Sequence, residues 1–204
     1  MIKTTGYLFL LAAFLVLLAV ANAGEIHEAA KTGDVERVKV LLDKDPRLLY
    51  AKDEEGKTPL HWAVGRGQPE VMELLLTIYH VDVNVRNNNG GTPLHVAASQ
   101  AQPEAAKILI QHYALIDART KDGSTPLHFA ALKGRKPGHV EVAGILIQNG
   151  ADVNARMNNG STPLALALSR GNTEMIALLR KNGAKEYLGT KMQQRQQRKI
   201  DRSE

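Results

Sequence analysis

The 204-residue sequence contains no cysteine. That absence excludes a disulfide scaffold, a thiolate-bound zinc or iron–sulfur site and a thiol nucleophile. It also lacks a long apolar stretch in its N-terminal segment: the run Tyr7–Val20 has 14 residues, where a membrane-spanning helix needs ~20. No strong charge of one sign is present, because 26 Lys+Arg face 21 Asp+Glu for a net of +5. So mild an excess does not by itself predict a nucleic-acid partner. No Gly-x-Ser-x-Gly motif and no obvious pair of carboxylates occurs, which leaves no catalytic constellation to propose. What remains, with 44% apolar residues, is the composition of an ordinary globular chain of one or two domains.

The first 23 residues read as a targeting segment. Lys3 is their only charge, the apolar run follows, and Ala21-Asn22-Ala23 forms a small-x-small cleavage site. Cleavage after Ala23 is expected to release a chain beginning at Gly24. That chain would work in the periplasm or as a secreted protein, where a cysteine-free sequence has nothing to misoxidise. The alternative is a membrane anchor made by an uncleaved N-terminal helix. After cleavage no stable membrane insertion is expected.

One phrase then recurs four times: Thr58-Pro59-Leu60-His61, Thr92-Pro93-Leu94-His95, Thr125-Pro126-Leu127-His128 and Thr162-Pro163-Leu164-Ala165. The spacings are 34, 33 and 37 residues, a period that signals a solenoid. A glycine turn precedes each copy, at Gly56, Gly90, Gly123 and Gly160, as a tight hairpin requires. Threonine before proline predicts an N-cap followed by a first helical residue that needs no N–H. A second apolar helix follows in each unit, carrying Leu74-Leu75-Leu76, Ile108-Leu109-Ile110, Ile145-Leu146-Ile147 and Ala177-Leu178-Leu179.

These phrases resemble the ankyrin repeat. The copy from Gly123 through Thr125-Pro126-Leu127-His128-Phe129-Ala130-Ala131 to Asn149-Gly150-Ala151-Asp152-Val153-Asn154-Ala155 carries the resemblance most fully. It implies an all-α-dominated solenoid of helix-turn-helix units joined by β-hairpin loops. The expected organisation is a signal peptide over 1–23, five repeats within 24–185 and a polar tail over 186–204. The repeats span about 25–52, 53–86, 87–119, 120–156 and 157–185. The first lacks the Thr-Pro-Leu-His phrase, as a capping unit would. Gly150 and Gly183 are expected to end helices at positive φ. Tyr113 stands in that place in the third repeat, and Tyr79-His80-Val81 adds a residue in the second. A non-glycine side chain held at positive φ costs about 1 kcal/mol, so these junctions are either strained or differently built. The fourth repeat carries an insertion, Arg135-Lys136-Pro137-Gly138. It is a second candidate contact or a tolerated surface loop.

Several matches dissolve on inspection. Ala51 to Thr58 mimics a phosphate-binding loop, but three acidic residues would crowd the phosphates and Pro59 removes a needed N–H. His27-Glu28-Ala29-Ala30-Lys31 begins like a zinc-protease helix, with lysine where the second histidine must stand. The repeated histidines resemble the buried struts of ankyrin repeats. One repeat apart, at about 10 Å, they cannot share a zinc with ~2 Å bonds. No metal, cofactor or catalytic residue is expected. Asn159-Gly160-Ser161 is a formal glycosylation sequon inside a hairpin turn.

The resemblance places partner contacts in the hairpins and near the ends of the first helices. By register these positions are Lys52, Arg86, Arg119 and Arg156 before the hairpins, and Arg66, Gln100, Lys133 and Arg170 at the helix ends. Seven of the eight are basic, and Lys121 is expected on the same face. Gly24 to Lys185 nevertheless holds 20 basic and 18 acidic residues. The expectation is a nearly neutral, monomeric solenoid that concentrates cations on one concave hairpin face and binds an acidic protein surface, without nucleic acid. An inhibitor or immunity-type factor that occludes an enzyme or toxin is one alternative. An accessory subunit of a periplasmic enzyme is another. The tail is polar and nearly without apolar anchors, too poor in burial to offset its ordering entropy.

Overall fold

The structure, a computed structural model, describes residues 23–133 and 136–186. The expected signal peptide lies outside the described residues but for Ala23, as do Gly134, Arg135 of the insertion and all of the tail beyond Glu186. Among the described residues no helix is long and apolar enough to cross a membrane.

Helices come in pairs, one pair per repeat. Helix α1 covers residues 23–32 and pairs with α2 (Val35–Lys44), which a short 3-10 turn, Pro46–Tyr50, continues. The following pairs are α3 (Pro59–Arg66) with α4 (Pro69–Glu73) and α5 (Pro93–Gln100) with α6 (Pro103–Gln111). The last two are α7 (Pro126–Lys133) with α8 (Pro137–Gln148) and α9 (Pro163–Arg170) with α10 (Thr173–Lys181). First helices α3, α5, α7 and α9 stack in one layer, and second helices α2, α4, α6, α8 and α10 in another. A single core runs between the layers.

The sequence explains this layering directly. Leu60, Leu94, Leu127 and Leu164 are buried between first helices, each burial stabilising by about 2 kcal/mol. Ala97, Ala98, Ala130 and Ala131 are wholly buried, so the helices of a repeat approach with only methyl groups between them. The hairpins are simpler than the expected β-arms. Each is a five-residue turn closed by two bonds, as in Asp53 N–H to the Lys57 carbonyl and Gly56 N–H to the Asp53 carbonyl. Neighbouring turns are joined by one backbone bond, from Asn88, Lys121 and Asn158 to Glu55, Asn89 and Asp122 respectively. Among the described residues no regular strand forms.

The irregular junctions resolve in both of the expected ways. Tyr113 sits at φ 64° and is 89% exposed, a non-glycine residue held left-handed. The extra residue of the second repeat is absorbed by a π-helical turn, Leu74–Ile78, in which the Tyr79 N–H reaches the Leu74 carbonyl. That turn delivers His80 to φ 48°. A third such residue, Ala101 at φ 58°, occupies the turn between α5 and α6. Glycines hold the equivalent position at Gly33, Gly67 and Gly171.

Ala101 is matched by a change across the junction. A Cβ on Gly33 would stand 2.5 Å from Gln68, and one on Gly67 would stand 2.7 Å from Gln102. The side chain of the following repeat thus fills the space each glycine leaves. Where the turn carries Ala101 instead, the facing residue is Gly138, whose own Cβ would meet the Ala101 carbonyl at 2.8 Å. The described part of the insertion is therefore packed. Lys136-Pro137-Gly138-His139 repeats the x-Pro-x-His pattern of the Thr-Pro-Leu-His phrase. Its imidazole Nδ1 accepts the Lys136 N–H at 3.3 Å, and its Nε2 donates to the Ser99 carbonyl at 3.2 Å.

Candidate functional site

The repeated histidines are struts. Nδ1 of His61 accepts the backbone N–H of Thr58 at 3.2 Å, which places the proton on Nε2; that nitrogen donates to the Gly91 carbonyl of the next repeat, also at 3.2 Å. His95 does the same between Thr92 and Ser124, and His128 between Thr125 and Ser161. In the capping repeat, His27 reaches the Ala51 carbonyl at 2.9 Å. Burial pushes His61 and His95 down to about 4, outweighing the hydrogen bond to the neighbouring carbonyl, and lowers His128 in the same direction. A neutral imidazole with both nitrogens occupied is a structural bridge and has no lone pair left for a metal. Among the described residues no group of His, Asp and Glu could hold a metal ion.

All eight sequence-predicted contact residues, Lys52, Arg66, Arg86, Arg119, Lys121, Lys133, Arg156 and Arg170, are exposed, as is Gln100. Their surroundings divide them. The column before the hairpins is a ladder. Lys52 Nζ donates to the Arg86 carbonyl at 3.1 Å. Arg86 donates to the Gly90 and Arg119 carbonyls, each at 2.7 Å. Arg119 donates to the Gly123 carbonyl at 3.1 Å and the Arg156 carbonyl at 2.7 Å. Arg86 and Arg119 thus each tie their own hairpin to the residue one repeat ahead, and Arg156 closes on Gly160 at 3.3 Å. Charge-assisted bonds of this kind to backbone carbonyls fix the relative position of repeats. The helix-end column differs: among the described residues the side chains of Arg66, Lys133 and Arg170 find no ion-pair or hydrogen-bond partner. All three side chains are exposed.

Between the two columns runs a half-buried apolar stripe made by the residue after each strut: Trp62, Val96, Phe129 and Leu166. Phe129 meets His95 edge to face, with centroids 5.3 Å apart. Trp62 is held on all sides. Lys31 Nζ lies 4.2 Å and Lys57 Nζ 4.7 Å from its ring centroid, and its indole N–H donates to Asp53 at 2.9 Å. Burial would raise the Asp53 carboxyl, but the Lys57 N–H and the Trp62 indole outweigh it and hold the group below its ordinary range. Beside Trp62 the inner helices leave a hollow of about 170 Å³ lined by Lys57, His61, Gly65, Arg66, Val96 and Gln100.

Sequence reasoning found the cations and overlooked this stripe. Its signal was present in the repeat register, since an apolar residue follows the fourth position of every copy of the phrase. The Gln68 and Gln102 side chains were overlooked as well. They donate back to the Lys31 and Gly65 carbonyls at 2.9 and 3.3 Å, and His139 replaces them at Ser99. The register signal here was a glutamine at the same place in two successive repeats.

Comparison with known proteins agrees with the geometry. A family model described as Ankyrin repeats (3 copies) matches residues 17–87, 67–157 and 114–188. The chain is 36% identical over 52 residues to a probable 26S proteasome regulatory subunit p28 of Saccharomyces cerevisiae, covering 26% of this chain and 23% of that one. It is 36% identical over 67 residues to the E3 ubiquitin-protein ligase XBAT32 of Arabidopsis thaliana, covering 32% and 13%. To the Acyl-CoA-binding domain-containing protein 1 of Arabidopsis thaliana it is 41% identical over 51 residues, covering 25% and 15%. The matched stretches thus span less than a quarter of the length of these relatives.

Proposed function

The chain belongs to the ankyrin-repeat family, whose solenoids serve as scaffolds for protein–protein interaction, and from that premise we propose that it binds an acidic protein partner, without catalysis, outside the cytoplasm. The observation that carries the acidic partner is the exposed helix-end column. Arg66, Lys133 and Arg170 line the open edge of an apolar stripe and are paired with no anion among the described residues. A surface of one sign beside apolar contact area speeds encounter with a complementary partner and disfavours others. The hairpin column adds to the same potential while serving the fold. The extracytoplasmic placement rests on the N-terminal segment alone, and a monomer is the expected state.

The test compares the chain with an Arg66→Glu, Lys133→Glu, Arg170→Glu variant. These positions are preferred to Arg86, Arg119 and Arg156, because reversing the latter would also break the backbone ladder. Both proteins, beginning at Gly24, are used as bait in extract of the compartment that contains the native chain, and bound proteins are identified by mass spectrometry. An acidic protein retained at low salt by the native chain, released at high salt and absent from the variant is the expected result. Equal recovery by both baits, or recovery of no protein at any salt, would overturn the acidic-partner reading.

A further inference from the structure

The hollow beside Trp62 exists because of one residue. Position 65 carries no side chain, whereas the same register holds Lys31, Ser99, Leu132 and Ser169 in the other repeats. A Cβ at Gly65 would already stand 3.1 Å from Val96 Cγ1, so any larger side chain would close the space between α3 and α5. Gly65 does not have positive φ, so no backbone requirement explains the glycine. At about 170 Å³ the hollow lies well below the ~300 Å³ where cofactor and small-molecule sites begin. It has the capacity of one side chain.

The rim of the hollow is made of donors. Among the described residues Arg66 has no partner and the Gln100 amide makes only a 3.3 Å contact to Ser99, while Lys57 is held over the Trp62 ring. Two anions stand nearby: Asp53, held by the Trp62 indole N–H at 2.9 Å and by the Lys57 backbone N–H, and Glu55, paired with Lys57 at 2.6 Å but itself exposed. The exposed Lys57–Glu55 pair is worth at most about 1 kcal/mol, so an incoming carboxylate can replace Glu55 on Lys57 at little cost while Asp53 stays bonded to Trp62. The walls, Trp62 and Val96, offer apolar surface to a side-chain stem. Donors above and apolar walls below match a side chain with a short methylene stem and a carboxylate head.

We propose that this notch receives a glutamate side chain from an extended acidic segment of the partner, with the rest of that segment lying along Val96, Phe129 and Leu166. The inference rests on the acidic-partner reading above and adds its anchor point. First helices stack at about 10 Å and an extended chain advances about 3.3 Å per residue, so side chains three apart meet successive repeats. The segment therefore carries glutamate followed, in either chain direction, by apolar residues at intervals of three.

The sequence holds a single tryptophan, so its fluorescence reports on this notch alone. The probes are two synthetic peptides, one with glutamate, leucine and leucine at every third position between serines, and its reversed sequence. Each carries a dye for anisotropy. Titration of one of them is expected to change Trp62 emission and raise anisotropy with the same midpoint. Gly65→Leu, Arg66→Glu and replacement of the peptide's glutamate by glutamine are each expected to weaken binding at least about tenfold. Circular dichroism checks that Gly65→Leu is folded, and Arg66→Glu at an exposed position provides the second variant. Binding seen by anisotropy that ignores all three changes, yet is lost in the Lys133→Glu, Arg170→Glu variant, overturns the notch and leaves the acidic-partner reading standing. No anisotropy change with either peptide at low salt overturns both.

Discussion

Single imidazoles do the most chemical work here at the smallest scale. His61 and His95 are neutral when folded, with values of about 4 against an ordinary 6.5, because burial penalises the charged ring. The sign follows directly. The unfolded chain binds these protons first as pH falls, so the stability from the struts is complete above pH 6.5, declines between 6.5 and about 4, and levels off below. Each imidazole contributes a loss of about 1.4 kcal/mol per pH unit inside that window, and His128 is shifted in the same direction. Urea denaturation at pH 7, 6, 5 and 4 should show midpoints falling steeply, with the slope reduced in a His95→Gln variant. A midpoint flat from pH 7 to 4 would show that the rings are not held neutral. Residue-scale strain runs alongside this. His80, Ala101 and Tyr113 hold left-handed backbone without being glycine, at about 1 kcal/mol each.

The elements show what can and cannot be read from a sequence of this kind. The first helices were legible because Thr-Pro-Leu-His combines a cap, a proline at the first turn and a buried leucine in four consecutive residues. The terminal glycines were legible for the same local reason, and Gly150 and Gly183 do take positive φ, at 89° and 84°. Ala101 was not, since alanine there satisfies helix propensity and only its neighbour across the junction reveals the turn. The hairpin cations were found by register, but their bonds to carbonyls 33 to 37 residues ahead are a property of stacking that no single repeat contains. The insertion also looked like a loop until His139 could be placed against Ser99. Two glycines of α8 test that placement against simple propensity. Gly144 has nothing within 4 Å of an added Cβ, so Gly144→Ala should stabilise by about 0.5–1 kcal/mol. Gly138 lies in the same helix, but its Cβ would press on the Ala101 carbonyl, and Gly138→Ala should destabilise by about 1–2 kcal/mol despite alanine's better propensity. Thermal unfolding of the two variants gives both signs, and stabilisation by both would mean the insertion is not packed on the third repeat.

For the molecule as a whole, stability is close to a sum of repeats and of the junctions between them. The fifth repeat is the weakest partner in that sum. Ala165 replaces the strut histidine, Leu168 is 43% exposed, and only Met175 and Leu179 of α10 are buried. Native-state hydrogen exchange should therefore find the amides of α9 and α10 opening at lower free energy than those of α5, α6 and α7, where burial is continuous. Uniform protection across α5 to α10 would mean that the repeats unfold as one block. The net charge of +5 conveys little at this scale. What counts is that one column of cations is committed to backbone carbonyls and another is left facing solvent.

Described mechanically, the junction between the second and third repeats has a firmly bonded edge and a lightly bonded one. On the hairpin side, the second and third repeats are joined by the His61 strut, by the Asn88 N–H to Glu55, by the Asn88 amide to Glu54 and, where the second helices end, by the Leu115 N–H to Asn84. On the opposite side, at the turns between paired helices, Gln102 makes a single 3.3 Å bond to Gly65. At the next junction the turn side is bonded by the buried His139 to Ser99, so the second–third junction is the one where the turns have least to break in spreading apart. That junction also carries the Gly65 notch, so a segment seated against Trp62 lies where the stack is held by the fewest bonds on its turn side.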